Sequence, residues 1–348
     1  MKLIAYLLPQ FHPIPENDLH WGKGFTEWTN TKKAKPLYKD HHQPNEPWAD
    51  NYYCLLEDQA RRRQEELAAA YGLHGFCYYH YWFKGKKLLE KPLEQKLRDP
   101  LSTLPFCLSW ANESWTRKWD GGSRDVIQKQ TYGTEKDWKE HFEYLLPFFR
   151  DSRYVRIGGK PLFVIYRPGD IGCWNEMRSL WEKLAVRNGL GGIYWVRTLG
   201  GFQAGRQEGF DASVEFEPHY TFATGSPPWR KLKTADGPHL VVDYDPLWME
   251  ILHRSIHREG EAILPGAFVG WDNTPRIGSR GQSCLGATPE KFGWYLSRQI
   301  RRAKELYRSE FLFINAWNEW AEGTYLEPDR RYGFRYLEEL NKAAQGTN

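Results

Sequence analysis

The stretch that decides the fold is residues 310–328, EFLFINAWNEWAEGTYLEP. It opens with an apolar run, residues 311–314, which is typical of a buried strand. Glu319 and Glu322 then stand among tryptophans, and Gly323 interrupts the run. Two carboxylates three residues apart point to opposite faces of an extended strand, so both serve one site only if the chain bends after Glu319. Gly323 favours that bend. The alternative is an exposed turn with two solvated glutamates, which the interleaved aromatic residues disfavour.

The composition is rich in aromatic side chains. Of 348 residues, 41% are hydrophobic and 16% aromatic, with 17 Trp, 20 Tyr and 18 Phe. This length allows one large domain or two ordinary ones. Because the aromatic content exceeds what a core needs, we expect part of it to face a ligand. The formal net charge is +4 and no long basic run stands out, which argues against nucleic acid as the main partner.

The cysteines and the N-terminal residues predict a cytoplasmic protein. The five cysteines are odd in number and show no CxxC spacing, which favours reduced thiols over disulfides or a zinc site. Residues 1–11 contain an apolar run, but Pro9 and Gln10 interrupt it before a signal-peptide core of normal length forms. No apolar stretch reaches 18 residues, so no membrane-spanning helix is expected. The oligomeric state is left open.

Strand-like and helix-like patterns alternate along the chain. Strands are predicted at Lys2–Phe11, Leu73–Phe83, Pro105–Glu113, Pro161–Arg167, Gly192–Thr198, Ala212–His219, Ile263–Asp272 and Phe311–Trp317. Helices are predicted at Asp50–Tyr71, Glu90–Asp99, Glu135–Phe149, Asn175–Asn188, Asp245–Arg258, Thr288–Arg308 and Arg331–Ala344. Such alternation implies parallel strands with right-handed crossovers.

Eight such units predict an α/β fold, a single (β/α)8 TIM barrel with long βα loops that spans residues 1–348 as one domain. Residues 221–240 are interpreted as a long loop after the sixth strand, not as a domain boundary. A doubly wound open sheet is the alternative, but the first strand is not followed by the Gly-rich phosphate fingerprint of that fold.

Polar and aromatic residues recur at the C-terminal ends of the predicted strands, where barrel enzymes carry their active sites. Aromatic faces stack on sugar rings, and carboxylates transfer protons or bind hydroxyls, so the pattern favours a carbohydrate ligand. The catalytic candidates are Glu319 and Glu322. The substrate-binding candidates are Gln10, His12, Trp21, Glu27, Tyr79, His80, Trp82, Trp110, Asn112, Glu113, Arg197, Glu217, His219, Trp271, Asp272, Asn318 and Trp320. Five of these tryptophans are predicted to line one pocket with Tyr79 and His80, namely Trp21, Trp82, Trp110, Trp271 and Trp320.

No metal or cofactor is expected. His12, His80 and His219 could converge at the barrel mouth near Asp272, but HxH and HExxH spacings are absent from the sequence. Hydrogen bonding or sugar binding is therefore the preferred role for these histidines. A nucleotide-sugar site is also disfavoured, because the sequence shows no Gly-rich phosphate-binding loop.

Several motifs together resemble those of WbsX-like proteins, over nearly the whole chain. They are YLLPQFH (6–12), WGKGFTEW (21–28), GFCYYHYWF (75–83), WANE (110–113) and NAWNEWAEGT (315–324). That family is often labelled glycosyltransferase-like and comes from polysaccharide and O-antigen (lipopolysaccharide) loci. It is also similar to glycoside hydrolase family 99, the endo-α-mannosidases and endo-α-mannanases on a (β/α)8 barrel.

The resemblance to family 99 implies a retaining glycoside hydrolase that acts on a bacterial polysaccharide or oligosaccharide. It implies that Glu319 acts as base on the sugar 2-hydroxyl, giving a 1,2-anhydro sugar, and that Glu322 protonates the leaving oxygen. The ordinary scheme of acid and nucleophile would use the same pair, and the sequence does not choose between them. Glu113 is expected to help position the sugar.

Two other functions stay open. One is a glycosyltransferase or transglycosylase in cell-surface polysaccharide biosynthesis, which the family label and the expected cytoplasmic location favour. The other is a carbohydrate-binding barrel without chemistry, which the paired Glu319 and Glu322 disfavour. The sugar and its linkage are not identified by the sequence.

Overall fold

The computed structural model describes residues 1–117, 125–201, 208–256 and 261–346. Eight parallel strand positions form the barrel wall. They are β1 (Lys2–Leu7), β2 (Gly75–Phe83), β3 (Phe106–Trp110), β4 (Lys160–Ile165), β5 (Tyr194–Leu199), β6 (Ala212–Glu215), β7 (two segments, Ala262–Leu264 and Gly266–Phe268) and β8 (Phe311–Asn315). Each apolar run predicted to be a strand overlaps one of them, because these runs are buried on both faces as parallel strands require.

The ring closes through β7 and β8. The segment Ala262–Leu264 pairs with β6, and the segment Gly266–Phe268 pairs with β8. A side chain on Gly266 would place its Cβ 2.0 Å from the Glu215 carbonyl oxygen, so the crossing from one neighbour to the other requires glycine. Strand β8 then pairs with β1, with Lys2 opposite Phe311. The predicted (β/α)8 barrel is confirmed.

Helices connect the strands and pack around the barrel. They are α1 (Pro15–Trp21), α2 (Glu27–Lys33), α3 (Asp58–Ala70), α4 (Lys91–Arg98), α5 (Glu135–Arg150), α6 (Trp174–Arg187), α7 (His219–Thr224), α8 (Tyr244–His253), α9 (Thr274–Ile277), α10 (Pro289–Arg302) and α11 (Arg335–Gln345). As the Thr-Pro-Glu sequence predicts, α10 has its N-cap at Thr288, whose hydroxyl accepts a hydrogen bond from the Lys291 amide. Within the described residues, no helix is both long and apolar enough to cross a membrane.

Several helices are shorter than predicted. The helix expected over Thr288–Arg308 ends at Arg302 and continues as a π-helical segment, Ala303–Tyr307, and the helix expected over Arg331–Ala344 begins at Arg335. The helix expected over Asp50–Tyr71 begins only at Asp58, because Ala49 and Asp50 adopt positive φ angles of 54° and 55° that a right-handed helix cannot contain. The helix expected over Asp245–Arg258 ends at His253. Its last two predicted residues, 257–258, lie outside the described residues.

The sequence predicts a long loop over residues 221–240, but these residues form regular structure. They include the end of α7 and much of an antiparallel hairpin, Arg230–Thr234 with Gly237–Asp243. The second strand of this hairpin pairs with Gln282–Leu285, which gives a small three-stranded sheet beside the barrel mouth. The hairpin turn carries Gly237 at φ 116°, a conformation that glycine adopts without strain.

Most of the aromatic excess packs the barrel and the layer between barrel and helices. Five tryptophans are almost completely buried, Trp181, Trp195, Trp248, Trp317 and Trp320. They contact other aromatic rings, as in the stacked pair of Trp248 and Tyr295 at 5.3 Å between ring centres. The expectation that the aromatic surplus faces a ligand is therefore wrong for these tryptophans.

Candidate active site

The chain folds back on itself after β8. Asn318–Glu319 pairs antiparallel with Thr324–Tyr325, and Trp320–Glu322 forms a single 3-10 turn between them. Gly323 has φ 61°, and a Cβ at this position would lie 2.8 Å from the Asp272 Cβ. The bend predicted after Glu319 is therefore confirmed, and it needs glycine both for its backbone angle and for the close approach of Asp272.

One guanidinium holds both glutamates of this hairpin. Arg276, on α9 after β7, donates from Nη2 to Glu319 Oε2 at 2.9 Å and from Nη1 to Glu322 Oε1. The same Nη2 donates to Oε1 of Glu27, in the first turn of α2, at 2.6 Å. We call Glu27, Arg276, Glu319 and Glu322 the carboxylate cluster. Because Glu319 and Glu322 both contact the Arg276 guanidinium, they lie close enough together to reach one ligand.

The carboxylate cluster contains three carboxyl groups and one guanidinium, all almost fully buried except Glu322, whose side chain is 18% exposed. Burial, followed by the nearby Glu322, raises the pKa of Glu319 well above its usual range, and Arg276 only partly opposes this. Burial alone would lower the pKa of Arg276, but the three carboxylates outweigh it, so the guanidinium stays charged. Glu319, only 4% exposed, therefore holds a proton at a pH where an ordinary glutamate is ionised.

A cavity of about 50 Å³ lies beside the two hairpin glutamates at the C-terminal mouth of the barrel. It is lined by Tyr79, Tyr81, Ala111, Glu113, Ser114, Trp115, Tyr166, Phe216, His219, Glu319 and Glu322. Tyr79 and Tyr81 are alternate residues of β2, so both point to the interior. Burial, then the charge of Glu319, raises the pKa of Tyr79, which keeps its hydroxyl protonated. The cavity combines aromatic walls with groups that can give or take protons.

Glu113 and His219 line opposite parts of this cavity. Glu113 forms an ion pair with Arg167 at 2.7 Å, and both side chains are about one-third exposed at the rim. His219 stacks on Phe216 and meets Trp271 edge-on, with ring centres 5.4 and 4.6 Å apart. Burial lowers the pKa of His219 to about 4, so the ring is neutral. Of the predicted site residues, five line the cavity: Tyr79, Glu113, His219, Glu319 and Glu322.

His80, Trp82 and Trp110 lie on the other side of the barrel wall, so their placement in the pocket is wrong. His80 Nε2 lies 2.8 Å from His141 Nε2 of α5, and Trp82 stacks flat on the His141 ring at 4.6 Å. Trp110 is opposite His80 in the strand register and meets His141 edge-on at 4.7 Å. The reason is the two-residue alternation of β2, which sends His80 and Trp82 outward when Tyr79 points inward.

The three histidines considered for zinc do not converge, because His80 faces α5 while His219 faces the cavity. Burial lowers the pKa of His80 to about 3 and that of His12 to about 4. His12 Nδ1 lies 3.0 Å from the Pro9 carbonyl oxygen. In the described ranges, His, Cys, Asp and Glu side chains form no group of three placed to hold a metal ion.

Asn318, Asn112 and Trp320 hold loops together and do not line the cavity. The Asn318 amide bonds to both the backbone nitrogen and the carbonyl of Leu8, at 2.7 and 3.0 Å, which ties the hairpin to the end of β1. Asn112 receives the Arg167 amide at 2.7 Å and so fixes the rim. Trp320 stacks on Tyr325 at 3.9 Å. These three side chains therefore make contacts inside the protein, and not the contacts with substrate that were predicted.

Arg197 and Glu217 form ion pairs away from the cavity. Arg197 bonds to Glu261 at 2.5 Å, just before the first residue of β7. Because parallel strands begin at the opposite end of the barrel from the site, this pair lies far from the mouth. Glu217 bonds to Arg254 at 2.7 Å and to the Thr221 hydroxyl, also at 2.7 Å. Both predicted placements are therefore corrected.

Gln10 and Trp21 support the site from behind. The Gln10 carbonyl accepts the Glu27 amide at 2.9 Å, which places Glu27 at the start of α2. Trp21 stacks on Phe25 at 4.9 Å and packs beside the aromatic cluster that includes Tyr81. Glu27 is the predicted residue that joins the carboxylate cluster without lining the cavity.

Trp271 and Asp272 belong to a neighbouring cavity of about 250 Å³. The Asp272 carboxylate accepts hydrogen bonds from Gln43 at 2.6 Å and Thr274 at 2.7 Å, and contacts His41 at 2.7 Å. Burial alone would raise the pKa of Asp272, but the interaction with His41 and the hydrogen bonds from Thr274 and Gln43 together outweigh it, and the pKa is lowered. Because Asp272 fixes Thr274 at the start of α9, it positions Arg276 and does not itself face the cavity.

Sequence reasoning missed Arg276, Tyr81, Phe216 and Trp115, although two of them carry a signal. Tyr81 follows from Tyr79 by strand alternation. Arg276 follows a Thr-Pro helix start directly after β7, where a barrel carries functional groups. Phe216 and Trp115 offer no such signal, because their positions depend on loops that only the fold arranges.

The fold and this site define a barrel of the class found in carbohydrate-active enzymes. One solved structure that is similar is the GH99 endo-alpha-mannosidase from Bacteroides thetaiotaomicron, with TM-score 0.56 and 13% identity over 99% of this chain and 96% of that one. Another, described as a glycoside hydrolase-like protein, gives TM-score 0.57 and 14% identity over 98% and 93% of the two chains. At such identities the likeness concerns the fold.

The sequence matches the profile of the Glycosyltransferase WbsX family over residues 3–340, and the chain belongs to that family. It is 39% identical over 345 residues to uncharacterized protein WxcX of Xanthomonas campestris pv. campestris, in strain ATCC 33913 and in strain B100. The match covers 98% of this chain and 49% of WxcX, so the chain spans about half the length of these relatives. The resemblance read from the motifs is confirmed.

Proposed function

We propose that this chain is a glycoside hydrolase that cleaves glycosidic bonds in a bacterial polysaccharide or oligosaccharide, with Glu319 and Glu322 as the proton-transferring pair. The observation that carries the proposal is that both carboxylates share the Arg276 guanidinium beside an aromatic cavity at the barrel mouth. A carbohydrate-binding protein needs contacts to hydroxyls, but it does not need two carboxyl groups held together by a buried cation.

By analogy with GH99, Glu319 is proposed as the base and Glu322 as the acid. Such a base removes the proton of the 2-hydroxyl, whose oxygen then attacks the anomeric carbon as the leaving oxygen takes the acid's proton. The raised pKa of Glu319 favours the opposite assignment in the ligand-free protein. Leaving-group dependence decides between them, because only loss of the acid is relieved by an activated aryl glycoside.

Glu113 is proposed to position the sugar. The cavity of about 50 Å³ has room for one or two water molecules, which is less than a pyranose ring occupies. The rim pair of Glu113 and Arg167 must therefore open when the sugar enters. When the contact with Arg167 opens, the Glu113 carboxylate can accept hydrogen bonds from sugar hydroxyls.

A glycosyltransferase or transglycosylase is the second candidate, and the family's own description favours it. A transglycosylase would use the same two glutamates but would pass the sugar to a hydroxyl acceptor instead of water. A nucleotide-sugar-dependent transferase would bind nucleotide sugars. Thermal shifts measured with nucleotide sugars and with oligosaccharides separate these activities from each other.

The test is an activity screen on a glycan library that begins with α-mannosides, because the similar solved enzyme is an endo-alpha-mannosidase. Products are identified by mass spectrometry with and without an added acceptor alcohol. The E319Q/E322Q double variant must be inactive. E310Q is the matched control, since Glu310 lies in the same stretch but is 79% exposed. Turnover by the double variant would contradict the proposed pair.

A further inference from the structure

A second large cavity lies on the side of the barrel, outside the carboxylate cluster. Its volume is about 620 Å³, and it is enclosed by the segment 47–54, by α3 and by the residues that follow the hairpin. The lining residues that matter here are Trp48, Tyr53, Arg63, Gln64 and Glu327. The cavity is more than ten times larger than the one beside Glu319, and nothing in the proposed reaction uses it.

Trp48 presents an aromatic surface to this cavity. The side chain is 47% exposed, and its ring meets Phe334 edge-on with centres 6.0 Å apart. Trp294 is nearly as exposed, at 46%, but the Arg298 guanidinium covers its ring at 3.2 Å. The ring of Trp48 is therefore open to a cavity that is large enough for a ligand to stack on it, whereas the ring of Trp294 is covered.

The wall opposite Trp48 is polar and buried. Gln64 is 6% exposed; its side-chain amide lies near the Tyr53 hydroxyl, but its Nε2 makes no well-aligned hydrogen bond among the residues that the structure describes. Next to it, Glu327 Oε2 accepts hydrogen bonds from the Tyr53 hydroxyl at 2.9 Å and from Trp320 Nε1 at 2.6 Å. Burial raises the pKa of Glu327 to about 8, so this carboxyl group is mostly uncharged at neutral pH. An unpaired buried amide is costly unless a ligand or water satisfies it.

We propose that this cavity is a binding site for a neutral oligosaccharide, with one sugar ring stacked on Trp48 and its hydroxyls bonded to Gln64. An aromatic face with amide and hydroxyl groups is the chemistry that recognises a pyranose. The cavity supplies one cation, Arg63, against the carboxyl groups of Asp50 and Glu57, so it does not favour an anionic sugar. The site is separate from the cavity beside Glu319, and the inference does not depend on the proposed hydrolysis.

The cavity continues into a second one, which favours a chain over a single sugar. Tyr52, Tyr53 and Cys54 line both this cavity and a neighbouring one of about 640 Å³. The second cavity extends towards α2, where Lys32 Nζ lies 3.8 Å from the centre of the Tyr52 ring. A ligand of several sugar units can therefore extend from Trp48 across the 52–54 segment.

The experiment is affinity gel electrophoresis of the intact chain in gels that contain mannan, dextran or amylose as neutral probes, and alginate as an acidic probe. We expect at least one neutral polymer to retard the wild type. W48A should bind that polymer at least about tenfold more weakly, because stacking residues of this kind dominate such contacts. Q64A should also weaken binding, and the W294A control should bind as the wild type does.

Four outcomes would overturn the inference. They are no retardation by any of the three neutral polymers, retardation by alginate only, equal binding by W48A and wild type, and loss of binding in E322Q with W48A unaffected. The last outcome would place the binding at the active site instead. Because Trp48 is half exposed, W48A is expected to fold, and thermal unfolding of W48A measured beside the wild type provides the check.

Discussion

The two faces of β2 place aromatic side chains in opposite roles. Tyr79 and Tyr81 face the cavity with the carboxylate cluster, whereas His80 and Trp82 face α5 and pack on His141. Both faces are aromatic and both are buried, so hydrophobicity does not distinguish them. What differs is the partner: charged groups in a small cavity on one side, and a close-packed ring stack on the other. Chemistry therefore belongs to one face and stability to the other.

The largest expected effect comes from removing the proton-transferring groups. E319Q and E322Q should each lower kcat by about 10²–10⁴-fold, since a positioned acid or base contributes that much. If Glu322 is the acid, E322Q should regain most of the lost kcat on an activated aryl glycoside, whereas E319Q should not regain it. Steady-state kinetics on both substrates, with E310Q as control, measures this. Near wild-type activity in either variant would contradict the assignment of catalysis to the cavity that one face of β2 lines.

Removing the cation should come next. R276M leaves Glu27, Glu319 and Glu322 together without their counter-ion, which should cost about 3–5 kcal/mol of folding free energy. The carboxylates then take up protons more readily in the folded protein. The loss should therefore be smaller at pH 5 than at pH 8, because stability conferred by raised carboxyl pKa values disappears as pH rises.

Denaturant unfolding at pH 5 and pH 8 tests this, and R276K is the matched variant because it keeps the charge but not the two-pronged contact. An equal loss for R276M at both pH values would show that the carboxylates are not coupled to Arg276.

Glu327 sharpens the comparison as a buried carboxyl group whose hydrogen-bond partners are Tyr53 and Trp320 instead of an arginine. Its pKa rises from 4.5 to about 8 in the folded protein. Wild type should thus lose stability relative to E327Q as pH rises through this window, on the order of 5 kcal/mol in total. Melting temperatures of both proteins from pH 5 to pH 9 give the difference, and parallel curves would contradict it.

The smallest effect is expected on the packed face. W82F keeps an aromatic ring against His141 but loses part of the stack, which should cost about 1–2 kcal/mol of stability. Its kcat/KM should stay at the wild-type value, because Trp82 does not reach the cavity. Thermal unfolding and kinetics on the same preparation separate the two outcomes. A loss of kcat/KM without a loss of stability would return Trp82 to the site.

The sequence predicted the barrel and the bend well because both depend on local signals. Apolar runs identified the strands, and Gly323 identified the bend that brings Glu322 back towards Glu319. The outward placement of His80 was not predictable in the same way, since its partner His141 lies 61 residues further on. When both faces of a strand are aromatic, periodicity shows that two faces exist but not which of them is the interior.

Arg276 was missed for a related reason. Its contacts to Glu319 and Glu27 span 43 and 249 residues, so no local pattern joins them. Too many tryptophans were predicted to line the pocket, because composition does not distinguish a ring that lines a pocket from a ring that packs in the protein interior. Trp320, next to Glu319 in sequence, is completely buried against Tyr325.

The pairing of β1 with β8 has a consequence for synthesis on the ribosome. β1 can pair with β2 early, but its other edge waits for residues 311–315, the last strand to be made. Until then an apolar strand keeps one row of backbone donors and acceptors open, which is a surface prone to mispairing. Chain-terminating lesions shortly before residue 311 should therefore yield aggregating products, whereas nascent chains that have released β8 can seal the ring.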